Sequence, residues 1–251
     1  MIGTTVLKVG GAELADGPIL AELVDALTTL ARDSHLLIVH GGGSEIADLQ
    51  KRLGLVPAFV DGLRVTDADS LRVAQMVLSG LVNKRLTARL VARGVRALGL
   101  SGVDGGVLRA RRMVHPKGDL GFVGEITDVD TACLNDLLGL GFTPVLSPIS
   151  LGENGTVYNV NSDHTALAVA GALRASELIF LTDVPGVRHG DRLLPQLTAR
   201  DAEEYIAAGV ITGGMIPKVR SALEAVARGV ANARITDLAG LAVGTGTVVA
   251  A

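Results

Sequence analysis

Short apolar runs rich in β-branched residues recur along the chain. Each is followed by glycine or polar residues and then by apolar positions at helical spacing. The runs predict strands over 4–9, 36–39, 95–100, 143–147, 177–181, 233–236 and 246–249. Between them, Ile19, Leu20, Leu23, Leu27 and Leu30 form one face of a helix over 18–32, and Ile46, Leu49 and Leu53 one face of another. A long helix capped by Thr66 or Asp67 runs to about residue 93. Its apolar residues Leu71, Met76, Val77, Leu81, Val82, Leu86 and Leu90 exceed one stripe, a width that suits a sheet on one side and a second subunit on the other. Further helices are predicted over 131–140, stopped by Gly141, and over 164–173, 199–208 and 219–228. Residues 59–65 predict a hairpin around Asp61-Gly62, a pair that accepts positive φ. Residues 107–124, glycine-rich and charged, read as short strands and a surface loop. Strand–helix alternation throughout predicts an α/β fold: a three-layer αβα sandwich around a central, mainly parallel sheet. A break near residues 171–177 divides it into an N-terminal lobe of about 1–173 and a C-terminal lobe of about 174–251 within one domain.

Composition narrows the function classes. The 251 residues are 48% hydrophobic and 20% charged, enough for a packed core. Aromatics are only 2% with no Trp, so the core is aliphatic and stacking platforms for nucleic acid are scarce. The net charge of −3 also argues against a nucleic-acid partner. A lone cysteine, Cys133, cannot form a disulfide within the chain, which fits a reducing, cytoplasmic setting. The chain shows no signal-peptide pattern and no apolar run long enough to span a membrane. Its histidines are scattered without metal-ligand spacing.

Candidate chemistry gathers at the predicted strand ends. His40-Gly41-Gly42-Gly43-Ser44 joins a buried strand to a helix start, where free N–H groups and the helix dipole favour an anion; Ser44 is a candidate cap. A tight turn with no ligand explains the same glycines equally well. Lys8 closes an apolar strand, where an ammonium needs a partner or must reach solvent. Lys218 follows Gly213-Gly214 and Pro217 at a helix start, where a nearby anion would offset the dipole. Asp163 heads an Ala-rich helix and has a plain alternative as its N-cap. Asn159 and Asn161 have one as turn residues, and Arg64 as a solvated hairpin arginine. In a doubly wound sheet all of these positions converge beyond the carboxyl ends of the strands. Two lysines, a carboxylate and clustered N–H groups suit phosphoryl transfer, which needs positioning and charge neutralisation rather than covalent help. Neither a Walker A pattern nor a protein-kinase glycine loop is present.

These residues resemble the amino acid kinase family over about 6–234, and most closely its branch that phosphorylates N-acetylglutamate. The specific segments are Lys8-Val9-Gly10-Gly11, His40 to Gly43, Asn83-Lys84, Gly99 to Gly102 and Gly121 to Gly124. Asn159 to Asp163, Thr182 to Val187 and Gly213 to Lys218 add to them, and Asp61 to Asp67 is the segment particular to that branch. The resemblance implies ATP-dependent phosphorylation of the γ-carboxylate of N-acetyl-L-glutamate in arginine synthesis. Lys8 and Lys218 would stabilise the transferring group from either side, with Asp163 holding both. Gly10, Gly11, Gly42 and Gly43 would offer N–H groups to phosphate and acyl oxygens, and Arg64 and Asn159 would bind the amino acid under a hairpin lid. Thr182, Asp183, Val184 and Gly186, with Val210, Ile211 and Thr212, would line the ATP site. Mg²⁺ would arrive with ATP, held by phosphates and water, with no dedicated protein ligand. Ser44 and Ser162 depart from the family's usual Pro and Ala without disturbing these roles. The chain opens at its first strand, and only Asp237 to Ala242 separate the last two strands. Arginine-inhibited relatives carry more sequence in both places, so the resemblance implies a homodimer through the 67–93 helix without arginine feedback. Two alternatives remain: a kinase for carrier-protein-bound aminoadipate or glutamate, with Arg109, Arg111 and Arg112 as a basic rim, and an inactive relative that only binds a partner.

Overall fold

The computed structural model describes residues 3–250. An eight-stranded sheet runs in the order Gln196–Leu197, Thr247–Val249, Asn232–Thr236, Glu177–Leu181, Thr4–Val9, His35–His40, Thr143–Ser147, Ala97–Ser101. All neighbours are parallel except Asn232–Thr236 and Thr247–Val249, which run antiparallel. Its two central strands, Thr4–Val9 and His35–His40, carry almost continuous buried apolar residues because helices cover both faces. Alternation along the first strand sends Val6 to one core and Leu7 and Val9 to the other. Helices Thr131–Gly139, Ser162–Ala172, Ala199–Ala207 and Met215–Ala227 contribute to the Val6 core. Helices Pro18–Asp33, Gly43–Arg52 and Leu238–Val243 and the long helix of 68–92 contribute to the Leu7 core. Every leucine fully enclosed here, such as Leu37 or Leu86, contributes about 2 kcal/mol by leaving water.

The sheet bridges the two expected lobes without interruption, since Thr4–Val9 pairs with Glu177–Leu181 on one side and His35–His40 on the other. Three features depart from the sequence expectation. The short strands expected within residues 107–124 are present but belong to a closed barrel that was not expected. Strands Leu108–Arg112 and Val123–Val129 close a small barrel with Ile149–Leu151 and Val157–Val160, so Asn159 is a strand residue and not a turn residue. The long helix is α-helical over Ala68–Ala74 and Asn83–Ala92 but π-helical over Gln75–Val82, with Asp67 accepting the N–H of Ser70 as cap. The helix expected from 219 starts at Met215, because Pro217 lies in the first turn, where its missing N–H costs nothing.

Candidate active site

The parallel register sets Lys8 beside Val39 on one side and Phe180 on the other. Three neighbouring strands therefore release their polar residues at one edge: Lys8 to Gly11, His40 to Gly43, and Thr182-Asp183. Alternation places Lys8 on the face of Val6, under helix Ser162–Ala172. Asn161 caps that helix, accepting the N–H groups of Asp163 and His164. The cap role is thus taken, and the Asp163 carboxylate is left to pair with Lys8 Nζ at 3.0 Å. The lysine is mostly buried, with 13% of its side chain exposed. Lys218 sits in the first turn of helix Met215–Ala227, which packs against the Asp163 helix on the same sheet face. It is half-buried and is not joined to Asp163 by an ion pair; among the described residues that carboxylate holds only Lys8.

Glycine 42 precedes helix Gly43–Arg52, and no side chain caps it; Ser44 lies inside the first turn instead of capping. The first N–H groups of the helix thus face the sheet edge without a side-chain acceptor. The two glycine segments touch backbone to backbone. A Cβ on Gly11 would lie 3.3 Å from Gly42 Cα and from Gly43 N, and one on Gly42 would lie 2.8 Å from Leu78 Cδ2. A Cβ on Gly43 meets nothing within 4 Å, because that glycine borders an open cleft.

Arg64, Phe59, Asn159 and Ser162 also line this cleft. Hairpin strands Phe59–Val60 and Leu63–Arg64 turn through Asp61 (φ 49°) and Gly62 (φ 80°), as the Asp-Gly pair requires. Arg64 donates through Nη1 to Gln50 Oε1 (2.6 Å) and through Nη2 to the Gly43 carbonyl (2.9 Å), and its guanidinium lies 4.7 Å from the Phe59 ring centre. Burial pulls its pKa below the usual arginine value. Two of its five N–H donors are used, leaving three for a carboxylate. Gln50 is fully buried and donates to Ser70 Oγ (2.9 Å), fixing the arginine; its place at the helix end in a run of polar residues hid that role in the sequence. Asn159 donates to Thr66 Oγ1 (3.2 Å), and Thr66 Oγ1 donates to the Arg64 carbonyl (3.0 Å).

Beneath the turn, His40 is wholly buried. Its Nδ1–H donates to the Gly41 carbonyl (2.9 Å), and Asn83 Nδ2 donates to Nε2 (3.1 Å). Desolvation lowers its pKa to about 4, so the ring is neutral at physiological pH. On the other side of Lys8, Thr182 and Asp183 share a groove with Glu13, whose carboxylate also reaches over Gly10. Gly186 packs on Thr247, whose hydroxyl accepts the Val187 N–H (2.8 Å). Val184, Val210 and Thr212 keep some exposure. The Ile211 side chain does not line a surface: it is buried in the core with Val187 and Leu197.

The model of the amino acid kinase family matches residues 3–237. The acetylglutamate kinase of Methanopyrus kandleri is 48% identical over 97% of this chain and 99% of its own length. That of Chloroflexus aggregans is 50% identical over 94% of this chain and 92% of its own. Among solved structures, smu.665 from Streptococcus mutans UA159 superposes with a TM-score of 0.83 at 31% identity, over 98% of both chains. The N-acetylglutamate synthase of Neisseria gonorrhoeae, complexed with coenzyme A and N-acetyl-glutamate, reaches 0.86 at 28% identity, over 99% of this chain and 59% of its own. Carbamate kinase from Giardia lamblia, at 14% identity and a TM-score of 0.73, shares the fold. Sheet, glycine turn and lysine–aspartate pair thus sit in a chain that belongs to the amino acid kinase family.

Proposed function

We propose that this protein transfers the γ-phosphoryl group of ATP to the γ-carboxylate of N-acetyl-L-glutamate, giving N-acetyl-L-glutamyl 5-phosphate and ADP, a step of arginine biosynthesis. The observation that carries the reading is the mostly buried Lys8–Asp163 pair opening onto the same sheet edge as the uncapped glycine turn and the Arg64 cleft. Arg64 and Asn159 would hold the α-carboxylate and the acyl chain, so that the γ-carboxylate lies against the N–H groups of Gly42 and Gly43. Lys8 would then neutralise one side of the transferring group and Lys218 the other, while Gly10 and Gly11 bind the nucleotide phosphates. The ATP base would rest in the lobe from about residue 174, near Thr182 to Gly186 and the 210–212 segment. Mg²⁺ would arrive with the nucleotide, held mainly by its phosphates and water. When bound, Mg²⁺ supplies charge neutralisation on the phosphates.

The carrier-protein alternative needs a free basic rim. Arg111 is paired with Glu125 (2.6 Å) and Arg112 with Asp119, which leaves Arg109 outside these pairs. The intact Lys8–Asp163 pair speaks against an inactive relative. No helix among the described residues is long and apolar enough to cross a membrane, and the single free cysteine fits the cytoplasm. A coupled ADP-release assay with N-acetylglutamate, glutamate, acetylaminoadipate and aspartate tests the proposal. Acetylglutamate should give the highest kcat/KM, and background ADP release with it would overturn the reading.

A further inference from the structure

Glu45 presents a chemical difficulty that its surroundings resolve. It is the third residue of helix Gly43–Arg52, within the turn whose N–H groups are proposed to receive anions. A carboxylate there gains from the helix dipole, but it repels an incoming phosphate or acyl carboxylate. Its side chain is only 16% exposed, so water does little to screen it. Arg85 meets it with both terminal nitrogens, Nη1 to Oε1 and Nη2 to Oε2, each at 2.8 Å, the fork geometry suited to a carboxylate. That carboxylate raises the arginine's pKa. Arg85 Nη1 also donates to the Leu14 carbonyl at 2.7 Å. Leu14 ends the short 3₁₀ turn that follows Gly10-Gly11, and its N–H donates to the Gly11 carbonyl. One guanidinium on the long helix is therefore bonded to both glycine segments, which already touch at Gly11 and Gly42.

We infer that Arg85 is a positioning residue for phosphoryl transfer: it cancels and holds the Glu45 charge beside the anion turn. This rests on the function proposed above. An ion pair with a purely structural role would lose as much from either side. A pair whose acid is harmful to the reaction would not. Removing Arg85 leaves a bare carboxylate in the first turn of the helix proposed to receive the anion, whereas removing the Glu45 charge leaves nothing to repel it.

The test is steady-state kinetics on purified Arg85→Met, Glu45→Gln and the double variant, with folding followed by circular dichroism and thermal melting. Arg85→Met should lose at least tenfold in kcat with the KM for acetylglutamate within threefold. Glu45→Gln should lose less than threefold, and the double variant should regain most of the loss. Equal losses in the two single variants, or a double variant no better than Arg85→Met, would overturn the inference. Should Arg85→Met fail to fold, Arg85→Lys replaces it, with a threefold or larger loss that Glu45→Gln reverses. Wild-type turnover is the separate control. An inactive wild type defeats the proposed function, and an active wild type with an indifferent Arg85 defeats only this inference.

Discussion

At the scale of single residues, the site is built from charges whose partners are fixed before substrate arrives. Lys8 is held at 3.0 Å by Asp163, so in the proposed reaction its ammonium would need no reorganisation to meet a phosphoryl group. Lys8→Ala should lower kcat by about a hundredfold or more, as should Lys218→Ala. A change below threefold for either, measured by ADP release, would remove that lysine from the mechanism. Asp163→Asn should cost less than Lys8→Ala, because the lysine stays while its anchor weakens. Arg64 is different, because the role proposed for it is binding. Its fork is already aligned by Gln50 and the Gly43 carbonyl, and a lysine at 64 would keep the charge but lose the fork. Arg64→Lys should raise the KM for acetylglutamate by about tenfold, the value of one charge-assisted hydrogen bond. An unchanged KM with a collapsed kcat would place the residue on the phosphoryl group instead. His40 adds a pH effect. Its folded pKa of about 4 lies below the ordinary 6.5, so the unfolded chain takes up the proton first as pH falls. The stabilisation is complete above about pH 6.5 and is lost progressively down to pH 4, at a cost on the order of 3 kcal/mol. Histidine NMR should show one imidazole that stays neutral at pH 5.5; if every histidine titrates near 6.5, the buried neutral assignment is wrong.

At the scale of elements, the glycine turn shows what the sequence could and could not disclose. The strand, the turn and the helix after it were legible from the apolar run at 36–39 and the spacing of Ile46 and Leu49. The parallel sheet was legible for the same reason, because strands buried on both faces are apolar throughout. Four features were not. The barrel around Asn159 is made of short strands paired across distant segments, which leave little local pattern. The π-helical turn of 75–82 keeps helical dihedrals at its borders and differs only in its bonding, so apolar spacing cannot reveal it. The caps were not legible: Ser44 lies inside its helix after Gly42, and Asn161 takes the cap that was the plain alternative for Asp163. Gln50 and Arg85 act through partners that only the fold supplies. The turn itself permits a clean experiment. A methyl at Gly43, a residue that lines the cleft, meets no protein atom within 4 Å. Gly43→Ala should therefore leave stability within about 0.5 kcal/mol while lowering kcat with acetylglutamate more than it weakens ATP binding. Chemical denaturation and nucleotide titration check the two halves. A fall in ATP affinity alone would move this turn from the acyl substrate to the nucleotide.

At the scale of the whole molecule, the long helix of residues 68–92 links the site to the outer surface. Its inner face is closed: Val73, Val77, Leu86 and Leu90 belong to the core, and Leu78 and Val82 abut Gly42. Its outer face leaves Met76 and Leu81 more than half exposed, in the same π-helical segment that packs on the turn. We propose on this pairing of faces that the chain forms a homodimer through the helix. Leu81→Glu should dissociate it, because a carboxylate buried at an apolar contact without a partner is strongly disfavoured. Sedimentation velocity at micromolar concentration should give a dimer for the wild type and a monomer for the variant; a monomeric wild type would end the idea. The consequence for catalysis follows from the helix form. A π segment is rare and is found most often at functional sites. If the proposed dimer contact steadies residues 75–82, its loss would let Leu78 and Val82 move beneath Gly42 and Arg85 move relative to Glu45. The Leu81→Glu monomer should accordingly lose several-fold in kcat although residue 81 lies outside the cleft. Full turnover in a confirmed monomer would show instead that the sheet edge alone holds the two glycine segments in place.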